Sequence, residues 1–144
     1  DYNQALNIRA NNQNALGNRG AIYYRMGQYD KALKDLDKAL SMKKSYPDGH
    51  LNRGIVLSVM GQYAKSKDDF DAFLKSKPNH VLAYYWRGIA LQNMGNHQAA
   101  IADFTRALKR KPKKGLFYES RAASYRALGH EQKALEDEKR VNKN

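Results

Sequence analysis

The chain has no cysteine, three prolines and a single tryptophan among its 144 residues. Without thiols it can form neither a disulfide nor a thiolate metal site, and it cannot use a cysteine nucleophile. Its uncharged runs, such as residues 54–62, are far shorter than the roughly 20 apolar residues that a membrane-spanning helix needs. These absences exclude a disulfide-stabilised domain and predict that no segment spans a membrane.

Acidic residues are also scarce, since 14 aspartates and glutamates stand against 26 lysines and arginines, for a formal net charge of +12. Such an excess invites an interaction with nucleic acid or with an acidic partner. An apolar content of 42% and ten tyrosines argue against a disordered chain. The positions of the basic residues therefore decide whether the charge indicates a function.

The sequence does contain an internal repeat of 34 residues. An arginine followed by a glycine, or by alanine in the fourth copy, recurs at this spacing as Arg19, Arg53, Arg87 and Arg121. A second series of glycines has the same period: Gly27, Gly61, Gly95 and Gly129. Self-similarity at a fixed period predicts stacked units of supersecondary structure, which bury a continuous core between neighbours.

Within each unit the apolar residues have helical spacing. Leu16, Gly20 and Tyr23 share one face of a helix, and Gly27 is placed to end that helix. The small residues Gly20 and Ala32 are expected where two helices cross, because a larger side chain would force the helices apart. The predicted helices span residues 15–26 and 29–42, the others follow at steps of 34, and a shorter last helix covers residues 131–141.

This unit resembles the tetratricopeptide repeat. The third copy carries the resemblance in the runs Tyr84-x-x-Arg87-Gly88-x-x-Leu91 and Ala100-x-x-x-Phe104, closed by Pro112. Arginine replaces the leucine that the family usually has before the small residue. Pentatricopeptide-type RNA binders have units of similar length, but the small residues and the glycine turn favour the tetratricopeptide interpretation. The resemblance implies an all-α fold of stacked helix–turn–helix repeats in a right-handed superhelix.

The register predicts a single domain composed of several repeats. Asp1-Tyr2-x-x-Ala5-Leu6 aligns with Asp103-Phe104-x-x-Ala107-Leu108, so the chain is expected to begin inside a second helix and to be a fragment of a longer array. Self-association through that exposed N-terminal helix is then an open alternative. The predicted segments are a remnant at 1–12, repeats at 13–46, 47–80 and 81–114, and a partial repeat at 115–144.

Nothing in the sequence indicates catalysis. The four histidines occupy four different places in the repeat frame, and none has metal-ligand spacing. The glycines are spaced for turns and helix crossings rather than for a phosphate-binding loop, and no Ser/His/acid order suggests a nucleophile. The sequence therefore predicts a protein that is not an enzyme and uses no metal or cofactor.

The repeated arginines have a matching series of aspartates in the same register. An arginine beside the crossing residue is expected to be partly buried, where it needs a carboxylate partner. Ion pairs between neighbouring helices are therefore favoured over contact with a ligand. The aspartates are Asp1, Asp35, Asp69, Asp103 and Asp137.

The resemblance implies that the first helix of each pair lines a concave groove for a partner. Trp86 supports this independently, because a soluble helix seldom exposes tryptophan, and Tyr85 and Trp86 are predicted on the face opposite core residues such as Leu91. By register, the predicted peptide-binding residues are Asn18, Tyr24, Arg25, Leu51, Asn52, Ile55, Tyr85, Trp86, Ile89 and Arg126.

The polar members of this set have distinct expected roles. Asn18 and Asn52 stand one repeat apart, and each amide can both donate and accept a hydrogen bond with the main chain of a peptide. The alternative is that they bond only to neighbouring helices. Arg25 and Arg126 are predicted to select acidic groups.

The basic excess lies on the second helices and the loops rather than in the predicted groove. Its densest part is a possible docking patch of Arg106, Lys109, Arg110, Lys111, Lys113 and Lys114. It is open to interpretation as a solvated rim, a nuclear-import-like tract, a contact for an anionic surface or a docking site for an acidic partner.

The sequence predicts a protein–protein interaction scaffold that holds a peptide or helix of another protein in the groove. Binding of a polyanion or nucleic acid through the lysine-rich rim and a self-assembling structural segment are the alternatives. Nucleic acid is disfavoured because that mode needs exposed aromatic residues interleaved with basic ones. The sequence leaves the cellular compartment open.

Overall fold

The computed structural model describes residues 12–42 and 45–142 and consists, over these residues, of eight α-helices without strands. It divides into a first unit, residues 1–77, and a second unit, residues 78–144. The all-α prediction is confirmed for this part of the chain. The first unit contains α1 (Gln13–Arg25), α2 (Tyr29–Leu40), α3 (Pro47–Val59) and α4 (Tyr63–Ser76). The second contains α5 (Val81–Asn93), α6 (His97–Arg110), α7 (Gly115–Ala127) and α8 (Glu131–Glu138).

The helix bounds differ from the predicted ones at both starts and ends. The first helix of each pair begins two residues earlier than predicted. At α1 the Asn12 side chain accepts a hydrogen bond from the Ala15 backbone N–H at 3.0 Å, which caps the earlier turn. The last helix ends at Glu138, because Arg140 and Val141 donate to carbonyls three residues back and tighten the chain into turns. None of the helices in the described ranges is long and apolar enough to span a membrane.

A glycine closes the first helix of each pair. Gly27 has φ of 76°, and the three later glycines of this series have φ between 80° and 83°. This left-handed conformation is costly for residues with a Cβ. The following N–H, that of Gln28, donates to the Tyr23 carbonyl at 2.8 Å, which is the bond that characterises a Schellman turn. The glycine series thus fixes the turn inside every helix pair.

The glycines that follow the repeated arginines lie at the helix crossings, as predicted. A Cβ added at Gly88 would lie 2.6 Å from Cε1 of Phe104, and one added at Gly20 would lie 2.9 Å from Cγ of Leu36. Ala32 and Leu36 are fully buried beside that crossing. The prediction that small residues allow close helix packing is confirmed.

Each unit has its own buried clusters. In the first unit Ala32, Leu36 and Val56 are buried, and tyrosines of α1 and α2 pack around them. In the second unit one cluster contains Leu91, Ala100 and Phe104. The other joins the end of α6 to the start of α7 and consists of Ala107, Leu108, Phe117 and Tyr118.

The repeated arginines form ion pairs with the repeated aspartates, as predicted. Arg87 donates from Nε to Oδ2 of Asp103 at 2.8 Å and from Nη2 to Oδ1 at 2.9 Å. Asp103 is only 1% exposed, so this two-bond geometry satisfies a carboxylate that would be costly to bury alone. The same pairing joins Arg19 to Asp35, Arg53 to Asp69 and Arg121 to Asp137. Asp1 and the predicted N-terminal remnant lie outside the described residues, except for Asn12.

Candidate functional site

Helices α1 and α3 of the first unit carry six of the predicted groove residues. Four of them, Tyr24, Arg25, Asn52 and Ile55, line one cavity of about 170 Å³ together with Ala21 and Val56. The structure therefore brings these four residues together, and we call their pocket the first-unit cavity. Asn18 and Leu51 lie on the same two helices but do not line it.

The first-unit cavity combines an apolar lining with polar groups. Val56 belongs to the buried core, and the ring of Tyr24 packs 5.8 Å from that of Tyr29. Burial, and then the proximity of Tyr29, raises the pKa of the Tyr24 hydroxyl above its usual value, so that hydroxyl stays neutral at physiological pH. Arg25 is exposed and forms no ion pair with any residue that the structure describes. The cavity thus offers an apolar surface beside a cation.

The two asparagines of the first unit keep their hydrogen-bonding capacity. The side chains of Asn18 and Asn52 make no hydrogen bond with another residue within 12–42 and 45–142. Asn18 is exposed and Asn52 is half-buried. The alternative in which they serve only to bond neighbouring helices is therefore wrong for the described part of the chain. Their amides are open to a ligand's main chain.

In the second unit, Tyr85 takes part in the core. Its ring stacks on Phe117 at 5.1 Å and lies 6.0 Å from Phe104. The prediction that Tyr85 stands opposite the core is wrong, because Phe117 at the start of α7 packs directly against it. Burial raises the pKa of the Tyr85 hydroxyl, and a hydrogen bond with Ser120 partly offsets that rise.

The neighbouring predicted residues of α5 are more accessible. Trp86 is half-buried and meets Tyr85 edge-on, with ring centroids 5.9 Å apart. Ile89 is also half-buried and packs against the cluster that contains Phe104. Both side chains therefore combine core contacts with surface that a ligand could cover.

Arg126 already has acidic partners inside the second unit. Its Nη2 lies 3.0 Å from Oε1 of Glu131, and its Nη1 bonds to Glu138. These hydrogen bonds raise the pKa of the guanidinium further and lower the pKa of the Glu131 carboxyl. An acidic ligand group would have to displace these carboxylates.

The predicted basic docking patch divides into separate environments. Arg106 bonds to Asp103 at 2.7 Å and lies over the ring of Tyr84. Lys109 lines a cavity of about 620 Å³ that also contains Arg121 and Asp137. The remaining four residues line a different cleft: Arg110, Lys111, Lys113 and Lys114.

That cleft, which we call the loop-edge cleft, is an unpredicted feature of the second unit. It has a volume of about 650 Å³ and is also lined by Val81, Leu82, Pro112 and Phe117. Sequence reasoning considered the basic loop apart from the apolar start of α5 and so missed that they meet. The sequence signal that could have revealed the cleft is the apolar pair Val81-Leu82 in the first turn of one helix, followed by a basic loop one repeat later in the sequence.

The tetratricopeptide repeat family model matches residues 14–46 and 81–114. Similar solved structures include a crystal structure of MamA, with a TM-score of 0.89, 21% identity, and coverage of 97% of this chain and 82% of that chain. A MamA segment from Desulfovibrio magneticus RS-1 has a TM-score of 0.91, 19% identity, and coverage of 97% and 79%. A sequence comparison with curated proteins gave no match. The resemblance is thereby confirmed: the chain carries tetratricopeptide repeats at these two positions, within an all-α series of helix pairs.

Proposed function

We propose that the chain is a non-enzymatic interaction scaffold that holds an extended peptide or a helix of a partner protein against the first helices of its repeats. The tetratricopeptide repeats and the MamA-like fold support a protein–protein interaction scaffold. The first-unit cavity supports the finer proposal of a peptide site.

The observation that supports this proposal most is the lining of the first-unit cavity, which Asn52 shares with Tyr24 and Ile55, while the Asn52 amide makes no hydrogen bond with a described residue. That amide would accept from one backbone N–H and donate to one backbone C=O of a ligand. A cavity of about 170 Å³ is smaller than the roughly 300–1,000 Å³ of small-molecule sites. It therefore suits one ligand side chain, covered by Tyr24 and Ile55.

Charged and aromatic neighbours would add selectivity. Arg25 at the cavity would favour an acidic residue in the ligand, since its guanidinium has no ion-pair partner among the described residues. In the second unit, Trp86 and Ile89 would bury apolar ligand side chains. Arg126 contributes less to this proposal, because Glu131 and Glu138 already bind it.

The test begins with peptides selected from a random library against the purified chain, followed by affinity measurement through fluorescence anisotropy. Ile55→Asp should weaken binding by more than about 10-fold, because it places a charge against the apolar side chain of the ligand. Asn52→Ala should weaken it by about 10-fold, the usual size of a lost hydrogen bond at an interface. Trp86→Ala is the corresponding test for the second unit and should reduce capture of a partner in a pull-down.

Matched controls separate this site from general damage. Leu135→Asp changes an exposed apolar residue on α8, which is not a first helix of a pair, and the double variant Lys109→Glu/Lys111→Glu changes the basic loop. Both should bind the selected peptides within about twofold of the parent chain. If Ile55→Asp retains a native circular dichroism spectrum and full affinity, the peptide site is elsewhere.

A further inference from the structure

We propose that the loop-edge cleft of the second unit is a separate docking site for an acidic peptide segment that carries an aliphatic side chain. This site does not depend on the first-unit cavity, since the two share no residue. The proposal rests on three features of the cleft: its apolar base, its charge and the kind of aromatic surface that it offers.

The base of the cleft is apolar and accessible. Leu82 is 51% exposed, so about half of its surface is open to solvent. Val81 is half-buried and packs against the cluster at the end of α6 and the start of α7 that contains Phe117, and Pro112, which also lines the cleft, is exposed. Covering such a surface with a ligand's aliphatic side chain removes apolar area from water, which favours binding.

The charge of the cleft has one sign. Its charged lining residues are Arg110, Lys111, Lys113 and Lys114, and no acidic residue lines it among those that the structure describes. Helices α5 and α7 begin at this edge, at Val81 and Gly115, and α6 ends there at Arg110, so helix dipole ends of both signs lie nearby and the positive charge comes from the side chains. Arg110 is held in place by a 2.6 Å hydrogen bond from its Nη2 to Oδ1 of Asn79. The complementary ligand groups are carboxylates.

The aromatic content of the cleft favours a peptide over a nucleic acid. Single-stranded nucleic acids bind by stacking their bases on exposed aromatic rings. Phe117 is the aromatic residue that lines this cleft within the described ranges, and it is 1% exposed. The accessible apolar surface is aliphatic, so it suits the side chain of leucine, isoleucine or valine. An acidic peptide with one such residue matches both the apolar and the basic residues that line the cleft.

The first unit provides an internal comparison. At the positions two repeats, or 68 residues, before Val81 and Leu82, it has the polar residues Gln13 and Asn14. Gln13 donates from Nε2 to the Ala39 carbonyl at 3.0 Å, so this edge is polar and bonded to its own unit. The apolar base is therefore specific to the second unit.

The experiment titrates the whole chain into a fluorescein-labelled nine-residue peptide whose central leucine is flanked by glutamates. Two control peptides separate the contributions, one with serine in place of leucine and one with glutamines in place of glutamates. Each should bind about 10-fold or more weakly, since one lacks the buried apolar side chain and the other lacks the charges. Affinity for the parent peptide should fall as salt is raised from about 50 to 200 mM, because the charges are exposed.

Variants of the protein locate the site. Leu82→Ser and the double variant Lys111→Glu/Lys114→Glu should each weaken binding of the parent peptide by about 10-fold or more. The matched controls are Met26→Ser, at a first-unit residue that is 60% exposed, and Lys34→Glu, at an exposed first-unit lysine. Both controls should bind within about twofold of the parent chain.

Several outcomes would overturn the proposal. Equal affinity for the leucine and serine peptides would mean that only charge is recognised, and loss of binding in Ile55→Asp would place the peptide at the first-unit cavity. A single-stranded oligonucleotide, or vesicles containing an anionic lipid, that bound with the same Leu82 dependence while the peptide did not would identify a different ligand class. Circular dichroism of each variant checks that the fold is retained.

Discussion

The two units share one helix–turn–helix plan but leave different surfaces open. In the first unit Tyr24 and Asn52 line a cavity, whereas the corresponding residues 68 positions later are Gln92 and Ser120. There the Gln92 amide donates to the Ser120 carbonyl at 2.8 Å and to Oγ of Ser124 at 2.7 Å. Polar groups that line the first-unit cavity thus correspond, in the second unit, to groups that bond to each other between α5 and α7.

The units also fill the space between their first helices with different residues. In the first unit the ring of Tyr46 packs on Gly17 and Gly49, where an added Cβ at Gly49 would lie 2.5 Å from Cδ2 of that ring. In the second unit the two glycine positions hold Tyr85 and Phe117, which stack on each other. Lys114 occupies the position that corresponds to Tyr46. It is not needed to fill this space, and it lines the loop-edge cleft instead. The two units thus differ at this surface because different residues fill the space between their first helices.

The largest effect that we predict is on the stability of the second unit. Asp103 is 1% exposed and accepts hydrogen bonds from both Arg87 and Arg106. Asp103→Ala leaves Arg87 without its buried carboxylate and should cost about 3 kcal/mol of unfolding free energy. Hydrogen exchange should show the loss in amides of α5 to α8. Asp35→Ala is the matched first-unit variant, and an equal loss in both units from either variant would show that they unfold together.

The next prediction concerns Tyr46 and its glycine neighbours. Gly49→Ala should destabilise the chain by about 1–3 kcal/mol, because the new methyl group overlaps the Tyr46 ring. In a Tyr46→Ala background the same change should instead be neutral or stabilising, since alanine is the better helix former by about 1 kcal/mol. Urea denaturation of the four chains in this double-mutant cycle measures the coupling. Additive effects would contradict the packing described above.

A smaller effect should distinguish the two polar arrangements. Gln92→Ala removes the bonds to Ser120 and to the fully buried Ser124, and it should cost about 1–2 kcal/mol of unfolding free energy. Asn52→Ala removes no hydrogen bond with a described residue, so it should change stability by less than about 0.5 kcal/mol. Thermal denaturation of both variants provides the measurement. A larger loss for Asn52→Ala than for Gln92→Ala would reverse the assignment of the two sites.

The smallest effect is electrostatic and concerns the exposed contact between Arg126 and Glu131 in the second unit. Because Arg126 lowers the pKa of the folded Glu131 carboxyl, the contact stabilises the fold above the unfolded pKa of glutamate, and this is lost as the pH falls through the lower folded pKa. Arg126→Gln should raise the Glu131 pKa toward its ordinary value in an NMR titration. Arg25→Gln, in the first unit, should leave the titration unchanged.

Features that depend on one residue type at one register position could be predicted from the sequence. Gly27 marks a turn because only the backbone of glycine adopts that conformation readily, and Gly88 marks a crossing because any side chain would meet Phe104. The pairing of Arg87 with Asp103 followed from the cost of burying an unpaired charge. The surroundings of Tyr85 and Arg126 could not be predicted in the same way, because their partners lie on other helices. Phe117 of α7 stacks on Tyr85, and Glu131 of α8 bonds to Arg126.

The sequence by itself determined the repeat, the helix pairs, their turns and crossings, and the arginine–aspartate pairing. Each of these is a local consequence of backbone freedom, side-chain size or charge, repeated every 34 residues. Only the tertiary structure decided which surfaces are open: the cavity at Tyr24 and Asn52, and the cleft where Leu82 meets the basic loop. Open surfaces depend on how side chains distant in sequence fill or leave the space between helices, and no single register position carries that information.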